Sequence, residues 1–305
     1  MQKPLRETIK EIVREHLNSG YIAMGQCLTA VGWVGGTLPQ LYEKDGMVEL
    51  SMADVAGGGF AVGAALAGKR PIYIIRYQGF CWFNLPIILN YACKSKEIWN
   101  RSSPLLIRSI AMEGAIGPVA GSCHHSLAYR MPGIKILAPM TSKEYQIAYK
   151  MFMKSDDVFL FSEHRGSFAF DGDLKDEFVE NPDLVVVAIS ITRFQASEAV
   201  KELIKKNIKV SFVNLWKLKP LELNSEAEKN ISNSKHGFLI IDDDYEEGIA
   251  SAIGQKISIK TYKNFKVLGL ESRSAGFSKE TDNLPPTKEK IIKTVLSIIS
   301  NPHEN

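Results

Sequence analysis

The chain has 305 residues, 45% hydrophobic and 23% charged, the balance of a globular protein long enough for two domains. Lys plus Arg is 37 and Asp plus Glu is 34, a net charge of +3, too small and too evenly mixed to argue for a nucleic-acid or membrane-surface partner. No apolar run approaches a membrane span, the charged N-terminal stretch lacks the apolar core of a secretory signal, and Cys27, Cys81, Cys93 and Cys123 fit neither zinc spacing nor a disulfide framework, so a cytoplasmic protein with reduced thiols is expected.

Leu5, Ile9, Ile12, Val13 and Leu17 recur at helical spacing, and Asn18-Ser19-Gly20 ends that helix. A short strand over Tyr21 to Met24 leads into the Gly-rich stretch Gly32 to Gly36. Met47 to Met52 reads as a strand, followed by Asp54 and three glycines, Gly57 to Gly59. A helix is expected over Gly58 to Gly68, with Gly59, Gly63 and Ala67 on one face. Each glycine costs a helix up to about 1 kcal/mol relative to alanine. The stripe therefore predicts close approach of another helix, across a subunit interface. Strands are expected at Arg70 to Tyr77, Leu105 to Ile110, Ile134 to Leu137 and Val158 to Phe161, with a helix over Leu85 to Cys93.

The composition turns polar between Gly166 and Asp183, and a second α/β pattern follows. Strands are expected at Leu184 to Ile191, Val210 to Leu215, Phe238 to Ile241 and Lys266 to Gly269. Helices are expected at Gln195 to Lys206, Ile249 to Ile257 and Thr287 to Ser300. The fold class is α/β: two doubly wound domains, 1–170 and 184–305, joined by a linker over 171–183.

Three polar groups carry candidate chemistry. Asp54, between a strand end and a Gly-rich helix, lies where parallel sheets bind ligands, and equally where an aspartate caps a helix. Cys123-His124-His125-Ser126 follows a Gly-rich loop and offers two histidines for acid/base work or for plain hydrogen bonding. Asp242-Asp243-Asp244 with Glu246-Glu247 lacks calcium-loop spacing and reads as a solvated loop. No nucleophile elbow, P-loop or dinucleotide fingerprint occurs.

The stretch DVAGGGFAVGAALAGKRPIYIIRYQGF, the later His125-Ser126, PGIKILAP at Pro132 to Pro139 and Ser162 to His164 together resemble the pyrimidine-binding domain of thiamine-diphosphate enzymes. The likeness is to the beta subunit of the first component of 2-oxo-acid dehydrogenases. The segments from Leu184 to Glu222 and from Gly237 to Ile257 resemble the transketolase C-terminal domain. The resemblance covers nearly the whole chain and implies a mechanism. A carboxyl hydrogen-bonded to a pyrimidine nitrogen favours the imino tautomer, whose nitrogen removes the thiazolium proton. By position, Asp54 is that carboxyl, Phe80 stacks on the pyrimidine with Tyr77 nearby, and His125 or His124 faces the substrate.

That family holds the diphosphate through Mg²⁺ on a Gly-Asp-Gly motif, which this sequence lacks; Asp171-Gly172-Asp173 reverses it. The resemblance thus implies an alpha-type partner carrying Mg²⁺ and the diphosphate half of the site, in a heterotetramer built on a dimeric core. The reaction would be cleavage next to a carbonyl of a 2-oxo acid or ketose donor and transfer of an acyl or ketol unit to an acceptor. The family's carboxyl is Glu where this chain has Asp54. Its early Gly-Glu-Asp is here Gly25-Gln26-Cys27, and its Asp-Gln pair falls at Pro86-Ile87. The resemblance implies a 2-oxo-acid-dehydrogenase-like or split-transketolase-like subunit; the departures argue against an ordinary pyruvate dehydrogenase subunit and for a biosynthetic relative such as a split transketolase, with a non-catalytic scaffold of the same fold as the alternative.

Overall fold

The computed structural model describes residues 3–112 and 122–300, so Gly114 to Gly121 of the loop before Cys123 lie outside the described residues. The chain divides into two compact units, Met1–Asp173 and Leu174–Asn305. The division falls inside the expected linker. The later part of that segment belongs with the second unit, because Glu177 and Phe212 exchange backbone hydrogen bonds of 2.9 and 2.7 Å.

The first unit runs α1 (Leu5–Asn18), β1 (Ala23–Gln26), α2 (Ala30–Gly36), β2 (Met47–Leu50), α3 (Asp54–Leu66), β3 (Ile72–Ile75), α4 (Cys81–Asn90), α5 (Ser95–Trp99), β4 (Leu105–Ala111), α6 (Ser126–Tyr129), β5 (Ile134–Leu137), α7 (Ser142–Met153) and β6 (Val158–His164). Its six strands lie in the order β2-β1-β3-β4-β6-β5, every neighbouring pair parallel. The apolar runs Ile72–Ile75 and Leu105–Ala111 are buried along their whole length, as strands covered on both faces must be. A fork fastens the centre of the sheet. Arg108 donates from Nε and Nη2 to the two carboxylate oxygens of Glu163 at 2.7 and 2.9 Å, and the Tyr145 hydroxyl donates to Glu163 at 2.8 Å. Burial works against the Arg108 charge, and the Glu163 carboxylate more than offsets it, holding the guanidinium above its usual value.

Two helix starts are corrected here. The Gly-rich helix begins at Asp54 rather than Gly58, and the next begins at Cys81 rather than Leu85. Within the chain the tightly packed glycines are Gly57 and Gly58, while Gly63 and Ala67 of the expected stripe are exposed. A Cβ on Gly58 would lie 2.7 Å from the Asn84 carbonyl oxygen of α4, whereas one on Gly59 would barely reach Ile87 and one on Gly63 would meet nothing. The stretch Gly32 to Gly36 lies in α2, where Val31 to Gly35 take left-handed angles, φ from 51° to 64°. Gly32 and Gly35 accept that hand; Val31, Trp33 and Val34 do so at roughly 1–2 kcal/mol each.

The second unit runs β7 (Leu184–Ile189), α8 (Thr192–Lys205), β8 (Val210–Leu215), β9 (Lys217–Lys219), α9 (Ser225–Ser232), β10 (Phe238–Tyr245), α10 (Ile249–Thr261), β11 (Phe265–Leu270) and α11 (Lys288–Ser300). Its parallel sheet has the order β11-β10-β7-β8. Val186 and Ala188 of β7 bury against Ala196 and Val200 of α8 and Val295 of α11 in one core. The acidic run is a solvated turn only at Glu246-Glu247, and its aspartates are strand. Asp242, Asp243 and Asp244 are the last residues but one of β10 and are 0%, 1% and 4% exposed. The apolar run simply continues as a strand through them, with Asp242 and Asp244 each accepting the next residue's backbone N–H. Among the described residues, no helix is long and apolar enough to cross a membrane.

One buried histidine gives the first unit a pH dependence. His16, on the buried side of α1, lies 2.9 Å through Nδ1 from the Tyr149 hydroxyl and stacks on Tyr21 at 5.0 Å. Burial lowers its pKa to about 4. Its folded value thus lies below the unfolded one, so its contribution to stability is complete above about pH 6.5 and is lost as pH falls toward 4. Urea unfolding across that range is expected to show a loss of up to about 3 kcal/mol that His16→Gln flattens.

Candidate active site

The strand order reverses between β1 and β3: the chain leaves β1 to one side for β2 and crosses to the other side for β3. Ligands of open α/β sheets bind at such a switch point, beyond the carboxyl ends of the strands. A recess of about 120 Å³ lies there, lined among others by Gln26, Cys27, Asp54, Tyr73, Tyr77 and Phe80. Two aromatic rings form part of its wall, Tyr77 and Phe80, with centroids 6.0 Å apart and planes at 43°. The Arg76 guanidinium sits 5.3 Å from the Tyr77 ring centroid.

Asp54 is the first residue of α3 and is half-buried. It is not the helix cap: Ala53 holds that position, and no side chain caps the helix. The Asp54 carboxylate turns toward side chains instead. Its Oδ1 accepts from Asn84 Nδ2 at 2.8 Å and from Gln26 Nε2 at 3.4 Å. The Asn84 oxygen in turn accepts from the buried Tyr73 hydroxyl. Burial, helped by the Asp54 charge, holds the Tyr73 pKa above its usual value, so its hydroxyl stays protonated and remains a donor.

The histidines are placed differently from each other. His125 is 1% exposed, and its Nδ1 lies 2.9 Å from Ser162 Oγ and 3.1 Å from Cys123 Sγ. His124 is half-buried, edge-on to Trp82 at 6.3 Å, with its backbone N–H donating to Gln78 Oε1 at 2.7 Å. Gln78 organises this layer, also donating to Ser162 Oγ at 2.9 Å and to the Ser109 carbonyl at 3.1 Å. Asp54, Tyr77 and Phe80 thus line one recess, and neither histidine lines it.

Sequence reasoning missed Asn84, Tyr73 and Gln78. Asn84 and Tyr73 carried one weak signal each: a lone amide inside the apolar run of α4, and a lone hydroxyl inside IYII.

The model of the transketolase pyrimidine-binding domain matches residues 22–169, and that of the transketolase C-terminal domain matches residues 176–279. The chain belongs to the thiamine-diphosphate-dependent transketolase family. The pyrimidine-binding match includes the whole recess and both histidines. Among curated relatives, the chain is 26% identical over 263 residues to the acetoin:2,6-dichlorophenolindophenol oxidoreductase subunit beta of Cupriavidus necator, covering 79% of this chain and 76% of that one. It is 26% identical over 264 residues to the 2-oxoisovalerate dehydrogenase subunit beta of Bacillus subtilis, covering 79% of each. A solved structure described as a split-gene transketolase, inactive beta4 tetramer, matches with a TM-score of 0.72 over 98% of this chain and 99% of that one. At 16% identity that likeness shows the shared transketolase fold alone.

The buried layer under this transketolase-family site contains a thiol, Cys81, paired with Ser109 Oγ at 3.0 Å. Burial pushes its pKa up to about 12. A thiol alkylates through its thiolate, so Cys81 is expected to resist iodoacetamide at neutral pH while half-buried Cys27 reacts. Mass spectrometry of peptides labelled with and without denaturant checks this.

Proposed function

We propose that the chain is the beta-type subunit of a thiamine-diphosphate-dependent enzyme, supplying the pyrimidine half of the cofactor site. The observation that carries this reading is the Asp54 carboxylate at the switch-point recess beside Tyr77 and Phe80. Oδ1 is committed to Asn84 and Gln26, while Oδ2 has no hydrogen-bond partner among the described residues. An acid with one oxygen fixed and one open, beside aromatic faces, fits a polar aromatic ring.

Thiamine diphosphate, when bound, supplies the electron sink for breaking a bond next to a carbonyl. The chain's own residues do the rest of the work at this half of the site. Asp54 would hold a pyrimidine nitrogen through Oδ2, and Tyr77 and Phe80 would cover the ring. His124 and His125 would serve the substrate side, with His124 the less buried of the two. The substrates are a 2-oxo acid or ketose donor and an acceptor of the acyl or ketol unit.

Both relatives above are named as beta subunits, which supports an alpha-type partner. That partner would hold Mg²⁺ and the diphosphate, for which this chain has no Gly-Asp-Gly motif. Self-association into a dimeric core is supported by an uncovered apolar surface on α3 and α4. Phe60 is 64% and Trp82 59% exposed, and Phe83 and Val55 are also more than half exposed. Gly63 leaves the surface of α3 open to close approach by another chain.

Calorimetry with Mg²⁺ and thiamine diphosphate is expected to detect binding when the chain is mixed with its alpha-type partner. Tight binding by the chain alone would overturn the shared site. In the mixture, Asp54→Ala is expected to lower turnover by about 100-fold or more with the thermal midpoint nearly unchanged. Wild-type turnover in that variant would sink the role given to Asp54. Sedimentation should find the wild-type chain self-associated and Phe60→Asp dissociated, because the substitution puts an uncompensated charge into an apolar contact.

A further inference from the structure

We infer that Asn84, braced by Tyr73, is the positioning residue that decides which oxygen of Asp54 faces a ligand; the inference rests on the function proposed above. Asn84 is 1% exposed, and so is Tyr73. The Asn84 amide has a fixed orientation. Its nitrogen donates to Asp54 Oδ1 at 2.8 Å and to the Phe80 carbonyl oxygen at 2.9 Å, and its oxygen accepts from the Tyr73 hydroxyl. A flipped amide would present an oxygen to the Asp54 carboxylate and to the Phe80 carbonyl, both acceptors only, losing those two bonds.

This arrangement distributes the carboxyl's roles. Oδ1 is held as an acceptor by an N–H, so when Asp54 carries a proton that proton resides on Oδ2. Oδ2 is the oxygen that has no other partner among the described residues. The donor that a pyrimidine nitrogen needs is thereby placed on the open oxygen.

Gly57 and Gly58 are part of the same device. A Cβ on Gly57 would lie 2.5 Å from the Tyr73 hydroxyl and 3.5 Å from Gln26 Nε2, and one on Gly58 would lie 2.7 Å from the Asn84 carbonyl oxygen. Without side chains there, the first turn of α3 closes onto β3 and α4. Aspartate, the shorter acid, then fits against the amide. A glutamate at position 54 would carry its carboxyl one methylene further, into the space that the Asn84 amide fills.

The prediction is a reciprocal fit between positions 54 and 84. With the partner subunit present, Asn84→Ala and Asp54→Glu are each expected to lower kcat by about 100-fold, the scale of a misplaced reacting group. The triple variant Asp54→Glu, Asn84→Ala, Tyr73→Phe is expected to recover at least tenfold over either. It frees room for the longer acid and leaves no buried hydroxyl unpaired. Tyr73→Phe alone removes only the brace and is expected to lower kcat about tenfold with an unchanged fold. It covers the case in which Asn84→Ala does not fold.

A second readout needs neither cofactor nor activity. In the chain alone, carbon-13 resonance of the Asp54 side-chain carboxyl is expected to move on Tyr73→Phe, although the Tyr73 hydroxyl bonds to Asn84 and not to Asp54. An unmoved carboxyl resonance together with kcat within twofold of wild type in Tyr73→Phe would overturn the inference, as would a triple variant no better than Asp54→Glu. A moved resonance in a chain whose wild-type mixture binds no thiamine diphosphate would leave the Asn84 brace standing and remove the function built on it.

Discussion

The site depends on how closely the first turn of α3 approaches β3 and α4. Gly57 and Gly58 are the contact points, each with backbone, hydroxyl or carbonyl atoms where a Cβ would sit. Two glycines near the start of a helix weaken it by up to about 1 kcal/mol each relative to alanine. The closure they allow brings a carboxylate, an amide and a buried hydroxyl into one line, Asp54 to Asn84 to Tyr73. Any side chain at either position would push α3 away and break that line before it affected the rest of the fold.

Around this line the sheet gives a rigid frame. β1 and β3 are neighbours, and the chain diverges from β1 to opposite sides, so the recess at their carboxyl ends follows from topology. The Arg108–Glu163 fork with Tyr145 holds β4 to β6 further along the same sheet. Removing one member of such a buried pair leaves the other charge uncompensated, so the frame resists drift at its centre. The Gln78 layer then joins the turn after β3 to Ser109 of β4 and Ser162 of β6, and it carries the backbone of His124. The two histidines are thus tied to the sheet rather than to the recess wall.

Much of the architecture was legible along the chain. The strands at Ile134–Leu137 and Val210–Leu215 have the bounds expected from the sequence, because short runs rich in Ile, Leu, Val and Phe, broken only by Lys135 or by Ser211 and Asn214, suit largely buried parallel strands. Helix α7 was missed although Thr141 and Glu144 form a capping pair, Thr141 Oγ1 accepting the Glu144 N–H at 3.2 Å. The acidic end of β10 was misread because charge usually marks solvent. Here the three aspartates continue an apolar strand and are themselves buried.

The sequence by itself determined the α/β class, the two-part organisation and the position of the acid and aromatic residues, since periodicity and local motifs are properties of neighbouring residues. Only the tertiary structure decided that Asp54 faces Asn84 rather than capping its helix, that Gly57 and Gly58 close onto β3 and α4, and that His125 is buried. Each of these depends on which atoms of distant segments meet, and a hydrogen bond or a clash acts over a few ångströms of space whatever the separation along the chain.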